Sequence, residues 1–215
     1  MDLLLLAASH GDKRLGDIVD GIPKCLVPIP NGNTVIGQNI DNALPYVDHV
    51  FIVTGYRSDL VHGEASKHTL RGSIIYNPAW NVAKNGMSLW VAFATHRMSP
   101  MNNSGLIVCN GDTILGSDTW KRASESPEGF VSIIKHGGSF LGAEVFAGEF
   151  LAQKYGRYLD EMSLKDDFMQ KRHHRLLYDF CNRDGVKWCV IDVPKSEYDE
   201  LDTKQNYADM KEKYA

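Results

Sequence analysis

Short apolar runs alternate with amphipathic stretches along this chain. A short apolar run closed by Gly or Pro predicts a buried strand, whereas apolar residues that recur about every 3.6 positions predict a helix. The runs that predict strands cover residues 3–8, 49–56, 72–78, 104–112, 129–148 (two strands) and 186–194. The patterns that predict helices cover residues 35–44, 57–67, 86–98 and 164–183, and a short final helix follows Asp202. This alternation predicts an α/β fold, a mixed and mostly parallel sheet with helices on both faces.

Length and composition narrow the class of protein. The length of 215 residues predicts a single domain over residues 1–215. A net charge of −4 at pH 7 gives no basic field, so we expect no nucleic-acid partner. The apolar run at residues 3–8 is too short for a signal peptide, and no run is long enough to span a membrane, so we expect no membrane partner. Four scattered cysteines without a C-x-x-C pair predict reduced thiols and a cytoplasmic protein.

Polar residues collect where the predicted strands end. Because sheets of this kind bind their ligands at the carboxyl ends of the strands, a site is expected there. The strand-end positions are Ser9 to Arg14, Gly55 and Tyr56, Asn77 and Pro78, Asn110 to Asp112, and the segment near Asp202.

The first of these loops lies within the stretch LLLLAASHGDKRLGDIVDGIPKCLVPIP, residues 3–30. Small residues and Gly11 let main-chain N–H groups approach an anion, and Lys13, Arg14 and Lys24 add positive charge. This composition suits a nucleoside triphosphate, although it matches neither the P-loop nor the dinucleotide-binding glycine pattern. The alternative is an ordinary polar loop after a strand.

Two aspartates follow predicted strands. Asp112 comes directly after the run LIVCNG, and Asp202 follows the last predicted strand within EYDELDT. Two carboxylates at one edge of a sheet are hard oxygen ligands that suit Mg²⁺, which also binds phosphate oxygens. The alternative is that Asp112 caps a turn and Asp202 caps the final helix.

Taken together, several segments resemble a known family. The segments are LLLAASHGDKRL, GIPKCLVPI, VFIVTGY, NGMSLW, LIVCNGD and EYDELDT. In this order they resemble the nucleotidyltransferases with a GT-A-like fold, and within them the chain is most similar to the CTP:phosphocholine and CTP:phosphonate cytidylyltransferases. The N-x-x-S-L stretch from Asn85 to Leu89 favours that branch, and the resemblance extends from Leu3 to about Tyr207.

The resemblance implies a role for each matching position. The residues that would bind the nucleotide are Leu6, Ala7, Ala8, Ser9, His10, Gly11, Lys13, Arg14, Gly55, Tyr56, Asn85 and Ser88. Of these, Asn85 and Ser88 would lie close to the nucleotide or to the acceptor phosphate. Arg14 and Lys24 would be catalytic because they neutralise phosphates, and Asp112 and Asp202 would bind Mg²⁺. The chain departs from the family at Ser9, where the opening L-A-A-G-x-G-x-R-L has Gly, and in one extra residue before Arg14. Because a Cβ limits positive φ, we expect this loop to follow a different path.

The acceptor is less defined by the sequence. A choline or aminoethyl head group would require an aromatic face or a carboxylate. The candidates are Trp80, Trp120, Glu144, Asp166, Asp167 and Phe168. The alternatives are that the tryptophans pack in the core and that Asp166 and Asp167 begin the helix predicted over residues 164–183, where acidic residues are favoured.

Three functions are compatible with these residues. The favoured one is a cytidylyltransferase that moves CMP from CTP to a small phosphorylated or phosphonylated acceptor, such as phosphocholine, with release of pyrophosphate. The second is a sugar-1-phosphate nucleotidyltransferase that uses another nucleoside triphosphate. The third is a nucleotide-binding protein without catalysis, against which the presence of Arg14, Lys24, Asp112 and Asp202 argues. The sequence indicates no oligomeric state.

Overall fold

A seven-stranded sheet forms the centre of the protein. The structure, a computed structural model, describes residues 1–10, 15–68, 70–96 and 105–215, except for the side chain of His96. The strands of these residues are β1 (Asp2–Ala7), β2 (His49–Thr54), β3 (Gly72–Tyr76), β4 (Gly105–Asn110), β5 (Thr113–Leu115), β6 (Val131–His136), β7 (Ser139–Ala147), β8 (Trp188–Asp192) and β9 (Tyr198–Glu200). The order in the sheet is β3-β2-β1-β4-β7-β6-β8, and β5 pairs with β9 in a separate ribbon.

The pairing of the strands is mixed and mostly parallel. β1 runs parallel to β2 and β4, with Leu4 opposite Phe51 on one side and Val108 on the other. β2 is parallel to β3, and β6 is parallel to β8. Of the strands described for this sheet, β7 alone runs antiparallel to both of its neighbours, β4 and β6. The predicted fold class is therefore confirmed, and the carboxyl ends of β1 to β4 meet at one edge.

Helices cover both faces of the sheet. They are α1 (Val35–Ala43), α2 (Ser58–Ala65), α3 (Asn85–His96), α4 (Ser117–Ser124), α5 (Glu149–Ser163), α6 (His173–Asp184) and α7 (Lys204–Lys213). α3, α5 and α6 bury Leu89, Tyr155 and Phe180 on one face, and α1, α2 and α4 pack on the other. Among the described residues, no helix combines the length and the apolar character needed to cross a membrane.

The helix predicted over residues 164–183 is wrong in its first half, where a turn and a short 3-10 segment precede α6. The main-chain oxygens of Met169 and Lys171 accept hydrogen bonds from the N–H groups of Lys84 and Gly86. Because these carbonyl oxygens accept hydrogen bonds from residues at the start of α3, they are not available for the i to i+4 hydrogen bonds of a continuous helix. Contacts with the start of α3 thus decide where α6 begins.

α5 lies where no helix is predicted, although its sequence carries a clear pattern. Its buried residues are Leu151, Ala152, Tyr155, Tyr158 and Leu159. These positions repeat at helical spacing, so they form one apolar stripe that faces the sheet. This helix could have been predicted from periodicity alone.

A third hydrophobic cluster lies beside the main sheet. It joins Leu15 and Val27 from the segment after the first loop, Ile114 from β5, Leu201, and Met210 from α7. Burial of these apolar side chains holds the segment after the first loop, β5, and the chain from Leu201 to α7 together. The cluster therefore fixes the segment that contains Lys24 against the segment that contains Asp202.

Candidate active site

The carboxyl ends of β1 and β4 lie side by side. Directly after β4, Gly111 donates its main-chain N–H to the oxygen of Leu6 at 3.0 Å. A Cβ at Gly111 would lie only 3.0 Å from the Cβ of Ala7, so a larger residue would push the two segments apart. This close approach brings Asn110 and Asp112 to the tip of β1.

Lys24 lies between two carboxylates, and we call Lys24, Asp112 and Asp202 the Lys24 cluster. The Nζ atom of Lys24 is 2.7 Å from Oδ2 of Asp112 and also donates to Oδ1 of Asp202. The Lys24 side chain is 6% exposed, whereas those of Asp112 and Asp202 are 21% and 35% exposed. A buried cation thus lies beneath two acids that face solvent.

The surroundings of Lys24 keep it charged. Burial by itself would lower the Lys24 pKa, because it removes water from the ammonium group. The charge of Asp112 and the hydrogen bonds to Asp112 and Asp202 act in the opposite direction and outweigh burial, so the pKa is raised above its usual value. Burial, with a smaller contribution from Asp112, raises the pKa of Cys25 to about 12, so this neighbouring thiol stays neutral and is no nucleophile.

Main-chain hydrogen bonds fix the two carboxylates relative to each other. Leu201, the residue before Asp202, donates its N–H to the main-chain oxygen of Asp112 at 3.0 Å. Thr203, the residue after Asp202, is the N-cap of α7 and forms both bonds of a capping box. Asp202 is therefore held between the ribbon and a capped helix, and the alternative in which Asp202 itself caps that helix is wrong.

A polar cavity opens beside the Lys24 cluster. It is lined by Leu6, Ala8, Ser9, Trp80, Ala83, Lys84, Asn85, Ser88, Asn110 and Asp112. The lining comes from the ends of β1 and β4, from the segment between β3 and α3, and from the start of α3. Five of the residues predicted to bind the nucleotide lie in this lining, namely Leu6, Ala8, Ser9, Asn85 and Ser88.

A row of aromatic rings extends from Trp80 in the lining to His10. The ring centroids of His10 and Tyr56 are 4.1 Å apart, and those of Tyr56 and Trp80 are 5.5 Å apart. Tyr56 donates its main-chain N–H to the oxygen of Ala8 at 3.2 Å. A Cβ at Gly55 would lie 2.3 Å from the Cβ of Trp80 and 2.7 Å from the Ala8 oxygen, so only glycine permits this packing.

Two residues of α3 have their acceptor atoms occupied within the protein. Oδ1 of Asn85 accepts the main-chain N–H of His173 at 3.0 Å, and Nδ2 of Asn85 donates to Oδ1 of Asn110 at 3.3 Å. Oγ of Ser88 accepts from Nδ2 of Asn77 at 3.0 Å. Because an amide nitrogen carries two hydrogens and a hydroxyl carries one, Asn85 and Ser88 each keep a hydrogen that no described residue accepts.

The other predicted nucleotide contacts either fall outside the described residues or are described and do not line the cavity. Gly11, Lys13 and Arg14 lie outside the described residues. Ala7 is buried at the end of β1, next to the lining residue Leu6.

The predicted acceptor residues are dispersed. Glu144 is fully buried in β7, and Trp120 and Phe168 are buried in the hydrophobic core. Asp166 and Asp167 are exposed, lie in the turn before α6 instead of in a helix, and do not line the cavity. Of the six candidates, only Trp80 lines the cavity.

The donor atoms of the Lys24 cluster fit a hard divalent cation. Its two carboxylates are held close enough to share one ammonium group. Within residues 1–10, 15–68, 70–96 and 105–215, no group of three or more His, Cys, Asp and Glu side chains could hold a metal. The protein would thus supply two carboxylates, and phosphate oxygens or water would complete the coordination, which is the usual way in which Mg²⁺ binds.

Two neighbours of the site were not among the residues predicted from the sequence. Lys84 lines the cavity, and its position directly before Asn85 was a signal that could have been used. His173 reaches Asn85 through its main chain across 88 residues of sequence, and no local pattern indicates that contact.

Several solved structures superpose on nearly the whole chain. A CTP:phosphocholine cytidylyltransferase from Streptococcus pneumoniae does so with a TM-score of 0.80 and 16% identity, over 98% of this chain and 97% of that chain. An inositol-1-phosphate CTP transferase from T. maritima gives 0.73 and 15%, over 99% and 95%. A nucleotidyl transferase from Methanothermobacter gives 0.72 and 22%, over 100% and 97%. Neither a family model nor a curated protein matches the sequence.

These superpositions identify the fold of the chain. The chain has the fold of the nucleotidyltransferases, and the resemblance predicted from its sequence is confirmed at that level. Among the structures compared above, the CTP:phosphocholine cytidylyltransferase gives the highest TM-score.

Proposed function

We propose that this protein is a Mg²⁺-dependent nucleotidyltransferase that moves CMP from CTP to a small phosphorylated or phosphonylated acceptor and releases pyrophosphate. The observation that carries the proposal is the Lys24 cluster, one buried cation and two solvent-facing carboxylates beside a polar cavity. The fold that the chain shares with two CTP-using transferases supports it.

The proposed reaction depends on the positioning of anions. An oxygen of the acceptor phosphate forms a bond to the α-phosphorus of CTP, and the bond from that phosphorus to pyrophosphate breaks, so the electron pair leaves with pyrophosphate. Because the attacking oxygen is already anionic, the protein needs neither a nucleophile nor a general base. Its task is to hold two anions that repel each other and to neutralise the charge on the leaving group.

The residues of the Lys24 cluster and the first loop would divide this task. Asp112 and Asp202 would hold Mg²⁺, which as a Lewis acid neutralises phosphate oxygens when bound. Lys24 would exchange a carboxylate contact for a phosphate oxygen, and Arg14 would add the bidentate contact that guanidinium groups form with phosphates. Lys84 would bring a further positive charge to the same cavity.

The acceptor would bind along the wall formed by α3 and Trp80. The remaining donors of Asn85 and Ser88 suit its phosphate or phosphonate group. The aromatic face of Trp80 suits an ammonium head group such as that of choline. Glu144 is sealed in the core, and Asp166 and Asp167 lie outside the cavity, so we do not propose them as direct contacts.

The proposed enzyme would work in the cytoplasm. All four cysteines are free thiols, and three of them are buried. Free thiols are typical of a reducing compartment.

Pyrophosphate release in the presence of Mg²⁺ tests the proposal. CTP, UTP, GTP, ATP and dTTP are each combined with phosphocholine, 2-aminoethylphosphonate, phosphoethanolamine and common sugar 1-phosphates. We expect turnover with CTP and a non-sugar acceptor. Turnover with a sugar 1-phosphate alone would instead indicate a sugar-1-phosphate nucleotidyltransferase. A nucleotide that raises the melting temperature without any turnover would indicate a binding protein.

A further inference from the structure

A buried acid–base pair lies behind the acceptor wall of the cavity. Oε1 of Glu144 in β7 is 3.0 Å from Nδ1 of His173, the first residue of α6. The two side chains are 0% and 1% exposed. Within the part of the chain that the structure describes, Oε2 of Glu144 has no hydrogen-bond partner. We call these two residues the Glu144–His173 pair.

Packing alone does not account for the pair. Glu144 lies opposite Val108 and Ile133 in the sheet, and Phe146 follows on the same face of β7. An apolar side chain would fill such a position without the cost of burying a carboxylate that forms one hydrogen bond among the described residues. Packing therefore does not explain why a glutamate occupies this position. What distinguishes Glu144 from an apolar residue here is its hydrogen bond to His173.

The pair is connected to the cavity through the main chain of His173. The ring of His173 is held by Glu144, and its main-chain N–H donates to Oδ1 of Asn85. Asn85 in turn donates to Asn110, and a Cβ at Gly142 would lie 2.4 Å from Nδ2 of Asn110, so this second amide is confined as well. The Asn85 amide is thus held between Asn110 at the end of β4 and the start of α6, and β7 confines the Asn110 amide in turn.

The contact with His173 fixes the direction in which Asn85 presents its hydrogens. A main-chain N–H can only donate, so the atom of Asn85 that faces it must be the oxygen. The nitrogen of the amide therefore faces Asn110 and the cavity, and one of its hydrogens remains for a ligand. The main-chain N–H groups of Gly86 and Met87 are already bound to Lys171 and Lys84, so this side-chain donor matters at the start of α3.

We propose that the Glu144–His173 pair is a positioning unit that holds the Asn85 amide with an N–H directed at the phosphate or phosphonate group of the acceptor. This inference rests on the proposed function, because it assigns a task within the acceptor subsite. Glu144 acts through His173 and Asn85 and does not touch the substrate. Loss of the pair lets the amide rotate or withdraw, which weakens acceptor binding and leaves CTP binding in place.

Steady-state kinetics of the full-length protein with phosphocholine and CTP test the inference. Glu144→Leu removes the hydrogen-bond acceptor at similar size, and we expect the KM for phosphocholine to rise about 10-fold, in line with the loss of one hydrogen bond to a charged group, while the KM for CTP is unchanged. Glu144→Gln keeps an oxygen for His173, so near-native values are expected. Phe146→Leu, two residues along β7, is the matched control: it lowers the melting temperature and leaves both KM values unchanged.

A double-mutant cycle shows whether Glu144 acts through Asn85. In an Asn85→Ala background, Glu144→Leu should have no further effect on the KM for phosphocholine, because the group that it positions is gone. Asn85→Asp keeps an oxygen for His173 but loses the donor and adds a negative charge, so it should weaken phosphocholine binding more than Asn85→Ala does. Additive effects in the cycle, or equal losses for CTP and phosphocholine, would overturn the inference.

A spectroscopic readout separates this inference from the proposed function. If the native protein has no turnover with any acceptor, the proposed function fails, but the position of the Asn85 amide can still be measured by NMR. Glu144→Leu should shift or broaden the side-chain amide signals of Asn85, which are assigned by their loss in Asn85→Ala. Glu144→Gln should leave them in place. Unchanged signals in Glu144→Leu would show that the pair does not position Asn85.

Discussion

Two acid–base clusters flank the cavity, and they differ in access to solvent. In the Lys24 cluster the cation is buried and both carboxylates are partly exposed, whereas in the Glu144–His173 pair both partners are sealed in the core. Exposed carboxylates can exchange an internal partner for an ion from solution, since water can replace and screen their contacts. A sealed carboxylate can act only on neighbouring protein groups. The same kind of pairing thus serves ligand exchange in one region and fixed positioning in the other.

The largest effect is expected from removal of a carboxylate that faces solvent. Asp112→Ala should lower Mg²⁺-dependent turnover by on the order of 10³, because loss of one group that stabilises the transition-state charge typically costs 10²–10³ and Asp112 also orients Lys24. Pyrophosphate release with CTP and the best acceptor measures the effect.

The matched control for this variant is Asp118→Ala. Asp118 is an exposed aspartate in the first turn of α4, outside the cavity lining. Its removal should leave turnover unchanged. Full Mg²⁺-dependent turnover in Asp112→Ala would show that Asp112 does not bind the metal. The Lys24 cluster would then have no ligand-exchange role to set it apart from the Glu144–His173 pair.

A second prediction concerns the exchange of partners within the Lys24 cluster. Lys24→Met should lower turnover by about 10²-fold, because a cation that faces the phosphates is lost. The same change should strengthen the binding of Mn²⁺ or Mg²⁺ in the absence of nucleotide, since Asp112 and Asp202 lose the ammonium group that occupies them. Turnover assays and isothermal titration calorimetry measure the two effects, which have opposite signs.

Lys213→Met is the control for that experiment. Lys213 also binds a buried aspartate, with its Nζ 2.7 Å from Oδ2 of Asp199, but it lies at the far end of α7. We expect its loss to change neither turnover nor metal affinity. Metal binding that weakens in Lys24→Met would show that the lysine supports the metal site and does not compete for it.

The two clusters also differ in how far the sequence predicts them. Asp112 could be placed because it directly follows the apolar run of β4, and strand ends of parallel sheets meet at one edge. Lys24 was predicted to face phosphate, yet its contacts with two aspartates 88 and 178 residues away depend on how the ribbon and α7 pack. Such contacts are set by the third hydrophobic cluster, whose members are scattered from Leu15 to Met210.

Glu144 was predicted for a different task, as a direct contact for the acceptor. The alternation along β7 could have predicted that it points inward with Phe146, because side chains two apart share a face of the sheet. Its partner His173 could not be predicted, because the helix expected over residues 164–183 gave His173 no special position. The true start of α6 depends on main-chain contacts with α3, and those form only in the folded protein.

The smallest expected effect is on stability at alkaline pH, and it applies to the Lys24 cluster alone. The Lys24 pKa is raised in the folded state above its usual value of 10.5, because the carboxylates outweigh burial. A raised pKa means that the stabilisation is fully present below the unfolded-state value and is lost as the pH rises through the folded-state value. Urea unfolding of the native protein and of Lys24→Met, from about pH 8 to about pH 12, should therefore show a stability difference that shrinks above the usual lysine pKa. All other ionisable groups are present in both proteins, so their contributions cancel in the difference. A stability difference that stays constant across this range would mean that Asp112 and Asp202 stabilise Lys24 no more as a cation than as a neutral amine. The contrast between the charged Lys24 cluster, whose partners can exchange, and the buried Glu144–His173 pair would then have no electrostatic basis.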